Sequence, residues 1–192
     1  MNKDNIITLP HADLRQRSKK VGLVSDQIQQ LITDMEAATL DWEDNRAHEV
    51  GVALAAVQID SLYRVIVVRN NFDDKSDRTF QVFINPEITK FEGKLVEDYE
   101  GCLSVKDIYG RVKRYEKVRV KALDINGQPV RLTAEGFLAR VFQHEIDHTN
   151  GIIFIDHIRD ESDAFFRLDD DGHLESLDYK TEVATNPDLW ED

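Results

Sequence analysis

The feature that most constrains this chain is the segment His144-Glu145-Ile146-Asp147-His148. On an α-helix, side chains four residues apart lie one above the other on the same face. The imidazoles of His144 and His148 can therefore bind one metal ion, and the carboxylate of Glu145 can bond a water molecule beside it. A hydrolytic metal site takes three protein ligands and keeps a fourth position open, so a third ligand must come from elsewhere in the chain.

Cys102 is the only cysteine in the chain and lies in the segment Glu100-Gly101-Cys102-Leu103-Ser104. A single cysteine is a small buried apolar residue, a nucleophile or a metal ligand. Beside the histidine pair, a thiolate would complete a Cys-His-His set with an open fourth position. We therefore take Cys102, His144 and His148 as candidate ligands of one divalent metal ion.

The periodicity of the apolar residues predicts two helices and several strands. The HExxH motif lies in a predicted helix over residues 134–150, with Thr133 as a candidate N-cap and Gly151 as a stop. A second amphipathic helix is predicted over residues 26–44. Strands are predicted around residues 63–68, 81–84, 94–96, 117–123 and 130–133, and Asn126-Gly127 indicates a two-residue hairpin turn. The pattern indicates an α+β fold in which antiparallel sheets pack around a central HExxH-bearing helix.

Composition limits the class of protein. A chain of 192 residues with 41% apolar residues is long enough for one domain with its own core. One cysteine excludes an internal disulfide, and no segment has the pattern of a secretory signal or a membrane span, so we expect a cytoplasmic protein. The net charge of −13 argues against nucleic-acid binding, which needs clustered basic side chains.

The acidic charge is concentrated at the C-terminal end. Residues 156–192 carry 13 acidic and three basic side chains, a balance of −10 that leaves −3 for residues 1–155. We expect a catalytic domain over residues 1–160 and an acidic extension over residues 161–192. The extension is predicted to form a hairpin around residues 169–172 and to be poorly ordered after about Tyr179.

The segment Gly51-Val52-Ala53-Leu54-Ala55-Ala56-Val57-Gln58 is small and apolar and ends in one amide. Small residues in a row let another backbone approach closely, and that backbone could belong to the protein core or to an extended peptide ligand. Composition alone favours tight core packing.

Three segments together resemble the peptide deformylase family: residues 51–58, residues 100–104 and residues 144–148. The resemblance implies removal of the N-formyl group from the initiator methionine of new polypeptides, with release of formate. It implies one divalent metal on Cys102, His144 and His148, natively iron(II) and replaceable by zinc, nickel or cobalt. Glu145 would be the general acid and base, and the Gln58 amide and the Leu103 backbone N–H would stabilise the oxyanion.

The resemblance also implies where substrate binds. The formyl-methionyl peptide would lie as an added strand along Gly51, Ala53 and Leu54, although most members have glycine where Ala53 stands. Phe137 and Val141 share the helical face of His144 and could line a methionine pocket, or could equally be ordinary core.

Two further expectations concern the surroundings of the site and the partners of the protein. Glu100 is expected to pair with Arg114 and to orient the metal ligands. The protein is expected to be a monomer. Many bacterial members dock on the ribosome through a basic C-terminal helix, which the acidic end of this chain does not resemble.

Two other functions compete with this interpretation. An HExxH zinc peptidase would take its third ligand downstream of the motif, where His157 and His173 are the only histidines. A deformylase-like protein could also bind metal or formyl-peptides without turnover, but Gln58, Cys102, His144, Glu145 and His148 supply every group that the chemistry needs.

Overall fold

The computed structural model describes residues 1–169 and 171–190. The protein consists of helices packed on one antiparallel sheet. The α-helices are α1 (Asp26–Asp44), α2 (Gly136–His148) and α3 (Pro187–Trp190). The strands are β1 (Ala53–Ala55), β2 (Val65–Arg69), β3 (Phe80–Cys102), β4 (Val105–Leu123), β5 (Pro129–Glu135), β6 (Phe165–Leu168) and β7 (Leu174–Ser176). Four short 3-10 helices span Lys3–Asn5, Ala12–Arg15, Ala56–Ile59 and Phe154–Ile158, and a π-helical turn spans Tyr179–Val183.

The sheet is one continuous hydrogen-bonded network in the order β1-β2-β3-β4-β6-β7, with β5 also paired to β4. Every neighbouring pair is antiparallel. The long strands β3 and β4 form the backbone of this sheet. Strand β4 pairs with β3 along one edge. Residues 117–123 of β4 also pair with β5, and residues 109–110 of β4 pair with β6.

Three clusters of buried apolar side chains hold the elements together. One lies between α2 and the sheet and includes Val118, Phe142 and Ile146. A second lies between α1 and strands β2 and β3. A third surrounds the 3-10 helix Phe154–Ile158 and includes side chains from β4, β6 and the end of the chain. Helix α2 is therefore packed on one side by the sheet and ends beside the third cluster.

Both predicted helices are present, and α2 is two residues shorter at each end than the predicted range of 134–150. Helix α1 spans Asp26–Asp44, as predicted. Helix α2 begins at Gly136, because Thr133 and Ala134 pair with β4 as part of β5, and the N-cap position is Glu135 rather than Thr133. The helix ends at His148, before Gly151. Within the described residues, no helix combines the length and the apolarity needed to cross a membrane.

The turn between β4 and β5 is longer than predicted. Asp124 N–H donates to Gln128 O at 2.9 Å, so three residues form the loop between these two. Gly127 has a φ of +75°. A three-residue loop of this kind places glycine in the left-handed region as its last residue, whereas the predicted two-residue turn needs two such residues.

The end of the chain is more structured than predicted. Strands β6 and β7 pair as a hairpin, and Asp170, within the predicted turn over residues 169–172, lies outside the described residues. After Tyr179 the chain forms the π-helical turn and α3 rather than a loosely placed tail, because Val183 and Leu189 are buried in the third cluster. Glu191 and Asp192 also lie outside the described residues.

We predict that Phe142→Ala destabilises the protein by about 3–5 kcal/mol, measured by urea unfolding. Phe142 is 1% exposed and meets Phe83 edge to face, with ring centroids 4.9 Å apart. The control Leu23→Ala removes a side chain that is 78% exposed and should change stability by less than about 0.5 kcal/mol. Equal losses for the two variants would contradict the assignment of the core to the α2–sheet interface.

Candidate metal centre

Three side chains converge at the end of α2. One ligand atom each from Cys102, His144 and His148 lies within 4.8 Å of the other two. Cys102 Sγ lies 3.2 Å from His148 Nε2. A sulfur and two imidazole nitrogens at this spacing form a donor set suited to iron, zinc, nickel or cobalt. The structure thus contains a possible site for one divalent ion, in which Cys102 comes from a segment 42 positions before the first histidine.

Strand β3 and helix α2 bring these ligands together. Cys102 is the last residue of β3 and pairs with Val105, the first residue of β4, so the thiol lies at a tight turn. His144 and His148 occupy the C-terminal part of α2, on the face that packs towards this turn. His144 is 9% exposed and His148 is fully buried. The ligands therefore rest on regular elements, and the two histidines lie almost entirely out of solvent, whereas Cys102 is partly exposed.

Glu100 binds three positively charged or polar groups at once. Its carboxylate accepts hydrogen bonds from Arg114 at 2.9 and 3.1 Å and from Arg140 at 2.8 Å. His144 Nδ1 lies 3.0 Å from the same carboxylate. Burial alone would raise the pKa of Glu100, but the hydrogen bonds from His144 and Arg114 hold that pKa well below its usual range. The carboxylate is therefore ionised inside the protein.

The contact between Glu100 and His144 determines which nitrogen of the imidazole can bind a metal. When Nδ1–H donates to the carboxylate, the lone pair for a metal ion lies on Nε2. Burial by itself would lower the pKa of His144. The contacts with the Cys102 thiol and the Glu100 carboxylate outweigh burial and raise that pKa well above its usual value. Glu100 thus orients His144 and makes it a more basic ligand, as expected for a group that contacts a metal-bound histidine.

Arg114 joins this carboxylate to a second one. Besides its two bonds to Glu100, it donates to Asp147 Oδ2 at 2.6 Å. Asp147 also contacts His157 Nε2 at 2.7 Å. Arg114 is 5% exposed, so its charge is balanced by two carboxylates inside the protein. The predicted pairing of Glu100 with Arg114 is present in the structure.

Two buried polar atoms beside the ligands lack a hydrogen-bond partner among the described residues: Glu145 Oε2 and His148 Nδ1. Glu145 is 5% exposed, and burial raises its pKa to about 7. An unpaired buried carboxylate oxygen is costly unless another group bonds to it. A water molecule beside a cation would satisfy this oxygen, so the residues present fit a metal ion with an attached solvent position.

The Gln58 amide is held in one orientation by the backbone. Its Oε1 accepts a hydrogen bond from Ala55 N–H at 2.8 Å, so Nε2 points the other way. Nε2 lies 3.2 Å from Ser104 Oγ and 3.5 Å from Cys102 Sγ. The amide donor therefore faces the thiol. Leu103 lines the same cleft beside Cys102.

The segment over residues 51–58 packs into the core and also lines part of the cleft. Strand alternation turns Ala53 and Ala55 towards α2, and turns Leu54 towards α1. Ala53 lines the cleft, but the Leu54 side chain is fully buried in the core and cannot contact a ligand. Leu54 is therefore a core residue rather than a side-chain contact for substrate.

Gly51 is required for the packing of this segment against α1. A Cβ at this position would lie 2.7 Å from Thr39 Cγ2 and 2.9 Å from Thr39 O. Gly51 N–H donates to Glu43 at 2.9 Å, and Glu43 forms a buried ion pair with Arg69. Gly51 is not among the residues that line the cleft, so its side of the segment is packed by the protein itself.

An open cleft of about 760 Å³ is lined by Cys102, His144 and Glu145. Its walls include both of the predicted pocket residues on α2. Val141 is 7% exposed, whereas Phe137 is 46% exposed and meets Phe72 edge to face. Cavities of roughly 300–1,000 Å³ hold small organic ligands or short peptides. The cleft therefore has room for more than a single methionine.

The contacts of several residues around the site were not predicted from the sequence: those of Glu43, Arg69, Ser104, Arg140, Asp147 and His157. Arg140 could have been identified, because it lies four residues before His144 on the same face of α2. The others depend on contacts between distant segments. His157 and His173 do not join the ligand cluster within the described residues.

Comparison with known proteins agrees with this geometry. The sequence model of the family described as "Polypeptide deformylase" matches residues 3–164. Peptide deformylase 1 from Pseudomonas syringae pv. tomato is 43% identical over 155 residues, which cover 80% of this chain and 86% of that protein.

Two crystal structures show the same fold. A peptide deformylase from Synechococcus elongatus in complex with actinonin has a TM-score of 0.72 and 37% identity, covering 81% of this chain and 80% of that one. The Met-Ala-Ser-bound class I type b peptide deformylase from Acinetobacter baumannii has a TM-score of 0.70 and 38% identity, covering 80% and 96%. With a family match over most of its length and a relative at 43% identity, this chain belongs to the polypeptide deformylase family.

Proposed function

We propose that this protein is a metal-dependent hydrolase that removes the N-formyl group from the initiator methionine of newly made polypeptides and releases formate. The observation that carries this proposal is the convergence of Cys102, His144 and His148 within 4.8 Å, beside the buried carboxylate of Glu145. The relatives at about 40% identity are peptide deformylases, which supports the same activity.

One divalent ion would be held by Cys102, His144 and His148. Such an ion would supply a Lewis acid that lowers the pKa of water and polarises the formyl carbonyl. We propose iron(II) as the native metal, with zinc, nickel or cobalt able to replace it. His144 binds in the tautomer that Glu100 selects, and Arg114 keeps Glu100 in place through its two bonds.

Glu145 carries the proton during the reaction. Its unpaired Oε2 accepts a proton from the attacking water, and the resulting hydroxide forms a bond to the formyl carbon. Glu145 then donates that proton to the amine nitrogen as the carbon–nitrogen bond breaks. Formate and a peptide with a free amino terminus are the products. A buried carboxyl with its pKa near 7 can both accept and donate a proton at neutral pH.

Negative charge develops on the formyl oxygen as the water adds. The Gln58 Nε2–H and the Leu103 backbone N–H would donate to this oxygen. Because Ala55 N–H fixes the Gln58 amide, the donor is oriented before substrate binds. One preorganised donor of this kind contributes about 3–4 kcal/mol to the lowering of the barrier.

The substrate backbone would extend along the free edge of β1, which pairs only with β2 among the described strands. Main-chain hydrogen bonds give affinity in such strand addition, and Ala53 is the residue of this edge that lines the cleft. The methionine side chain would contact Phe137 and Val141. Relatives such as the Acinetobacter baumannii protein are known with Met-Ala-Ser bound, which suits an extended peptide in this position.

Further proposals concern the whole protein. We propose a catalytic domain over residues 1–160 and an extension over residues 161–192; the family match ends at residue 164, which supports this division. We also propose a monomer that works in the cytoplasm. The net charge of −13 does not suit docking on RNA, so binding of nucleic acid or of the ribosome through a basic tail is not part of the proposal.

The direct test of the function is formate release from a formyl-Met peptide by anaerobically purified protein, with its metal content measured in parallel. We expect about one metal ion per chain and turnover that chelation abolishes. Metal at this stoichiometry without formate release would support the competing proposal of a binding protein that lacks turnover.

The variant Cys102→Ser distinguishes this function from an HExxH zinc peptidase. We predict that Cys102→Ser loses bound metal and formate release, because an alcohol is a much poorer ligand than a thiolate. The comparison variant His157→Ala should keep its metal, since His157 contacts Asp147 and Arg114 rather than the ligand cluster. A peptidase with a downstream histidine ligand would give the opposite pair of results in metal analysis.

We predict that Glu145→Gln lowers kcat by about 10²–10⁴-fold while the metal content is unchanged, because the amide cannot carry the proton. The matched control is Glu135→Gln at the start of α2, which is exposed and should retain parent activity. Steady-state kinetics and metal analysis on the same samples check this. Full activity in Glu145→Gln would exclude Glu145 as the acid and base.

We predict that Arg114→Ala weakens metal affinity by about 10–100-fold, since Glu100 would lose the partner that holds it against His144. Arg119→Ala is the control, because Arg119 lies on the same strand but forms an exposed ion pair with Glu92. Competition with a chelator, on samples whose folding is checked by circular dichroism, measures the affinity. Unchanged metal affinity in Arg114→Ala would show that Arg114 does not position Glu100 against His144.

A further inference from the structure

The hairpin formed by β6 and β7 begins where the match to the family ends. That match covers residues 3–164, and β6 starts at Phe165. Three residues of this hairpin nevertheless line the same cleft as the metal ligands: Leu168, Gly172 and Leu174. This part of the chain therefore contributes a wall to the substrate cleft that the family match does not include.

The hairpin is fixed relative to the metal ligands by the sheet. Phe165 and Phe166 pair with Gly110 and Tyr109 of β4, the strand that follows Cys102 after one tight turn. Phe165 is 1% exposed, and Phe166 meets Tyr99 edge to face with ring centroids 5.0 Å apart. The hairpin is thus held by backbone pairing and by buried aromatic packing on both faces of β6.

Alternation along the hairpin determines which side chains face the cleft. Leu168 and Leu174 are directly paired across the two strands and are half-buried, whereas Arg167 and Glu175 are exposed. A Cβ on Gly172 would lie only 3.2 Å from Cγ of His48, in the segment that leads from α1 to β1. The turn of the hairpin therefore reaches across to the opposite wall of the cleft.

Several charged groups that line this cleft are paired with one another. Arg46 lies 3.3 Å from Glu49 and 3.4 Å from Asp107. Glu49 also accepts a hydrogen bond from the Tyr109 hydroxyl. These partners come from two segments, the one between α1 and β1 and the start of β4, whereas Leu168 and Leu174 add apolar surface to the cleft on the side of the hairpin.

We propose that Leu168 and Leu174 form a subsite for apolar side chains of the residues that follow formyl-methionine. This inference rests on the proposed function, since the occupant is the substrate peptide that reaches the metal ligands through the same cleft. The hairpin then makes the enzyme prefer substrates with apolar residues after the first two positions. Both leucines act on binding of the distal peptide and take no part in the chemical step.

The test is the ratio of kcat/KM for formyl-Met-Ala-Leu-Leu to that for formyl-Met-Ala-Ser-Ser. Loss of an apolar contact reduces kcat/KM by roughly tenfold or more. We expect a ratio well above one for the parent protein and a fall of about tenfold in that ratio for Leu168→Ser/Leu174→Ser. The conservative Leu168→Met/Leu174→Met should restore most of the ratio, and Leu23→Ser, with a side chain 78% exposed and outside the cleft, should leave it unchanged.

The outcomes separate the two proposals. A parent ratio near one, or an unchanged ratio in the double serine variant, with formate released from both peptides, would overturn the subsite and leave the proposed function intact. No formate from either peptide would overturn the proposed function and this inference with it. If the double variant does not fold, the single variant Leu174→Ser decides, and a fall in its ratio supports the subsite.

Discussion

The carboxylate of Glu100 is the group on which the rest of the site depends. It lies near the end of β3 and binds Arg114 from β4 and both Arg140 and His144 from α2. The Glu100 side chain thus links β3, β4 and α2 beside the ligands. Removing a charge of this kind from water is costly, and only several good hydrogen bonds offset that cost. The ion pairs therefore specify one relative placement of β3, β4 and α2, and that placement brings Cys102 to the two histidines.

The surrounding chemistry follows from the same arrangement. Because Glu100 occupies Nδ1 of His144, the other nitrogen is left for the ion. Because Glu145 is buried, its pKa rises to about 7, which would suit a group that gains and loses one proton in each turnover. The cleft beside it is lined both by β1 and by the C-terminal hairpin, so a peptide bound there would contact segments that are far apart in the sequence.

The sequence predicted the parts that local spacing or residue chemistry determines. The four-residue interval between His144 and His148 determines their common face, and the scarcity of thiols singles out Cys102. Side-chain directions in residues 51–58 could not be predicted, because a short strand buried on both faces shows no alternation, and so the burial of the Leu54 side chain against α1 was not predicted. The contacts of Asp147 and His157, and the burial of Val183 and Leu189, depend on segments meeting across the fold, which spacing does not encode.

X-ray absorption spectroscopy of the zinc-loaded protein tests the central claim most directly, since it counts the atoms bound to the metal without requiring turnover. The account predicts one sulfur ligand at about 2.3 Å, two imidazole nitrogens at about 2.0–2.1 Å and one further light atom. A coordination sphere that contains no sulfur, or that contains three imidazoles, would contradict it.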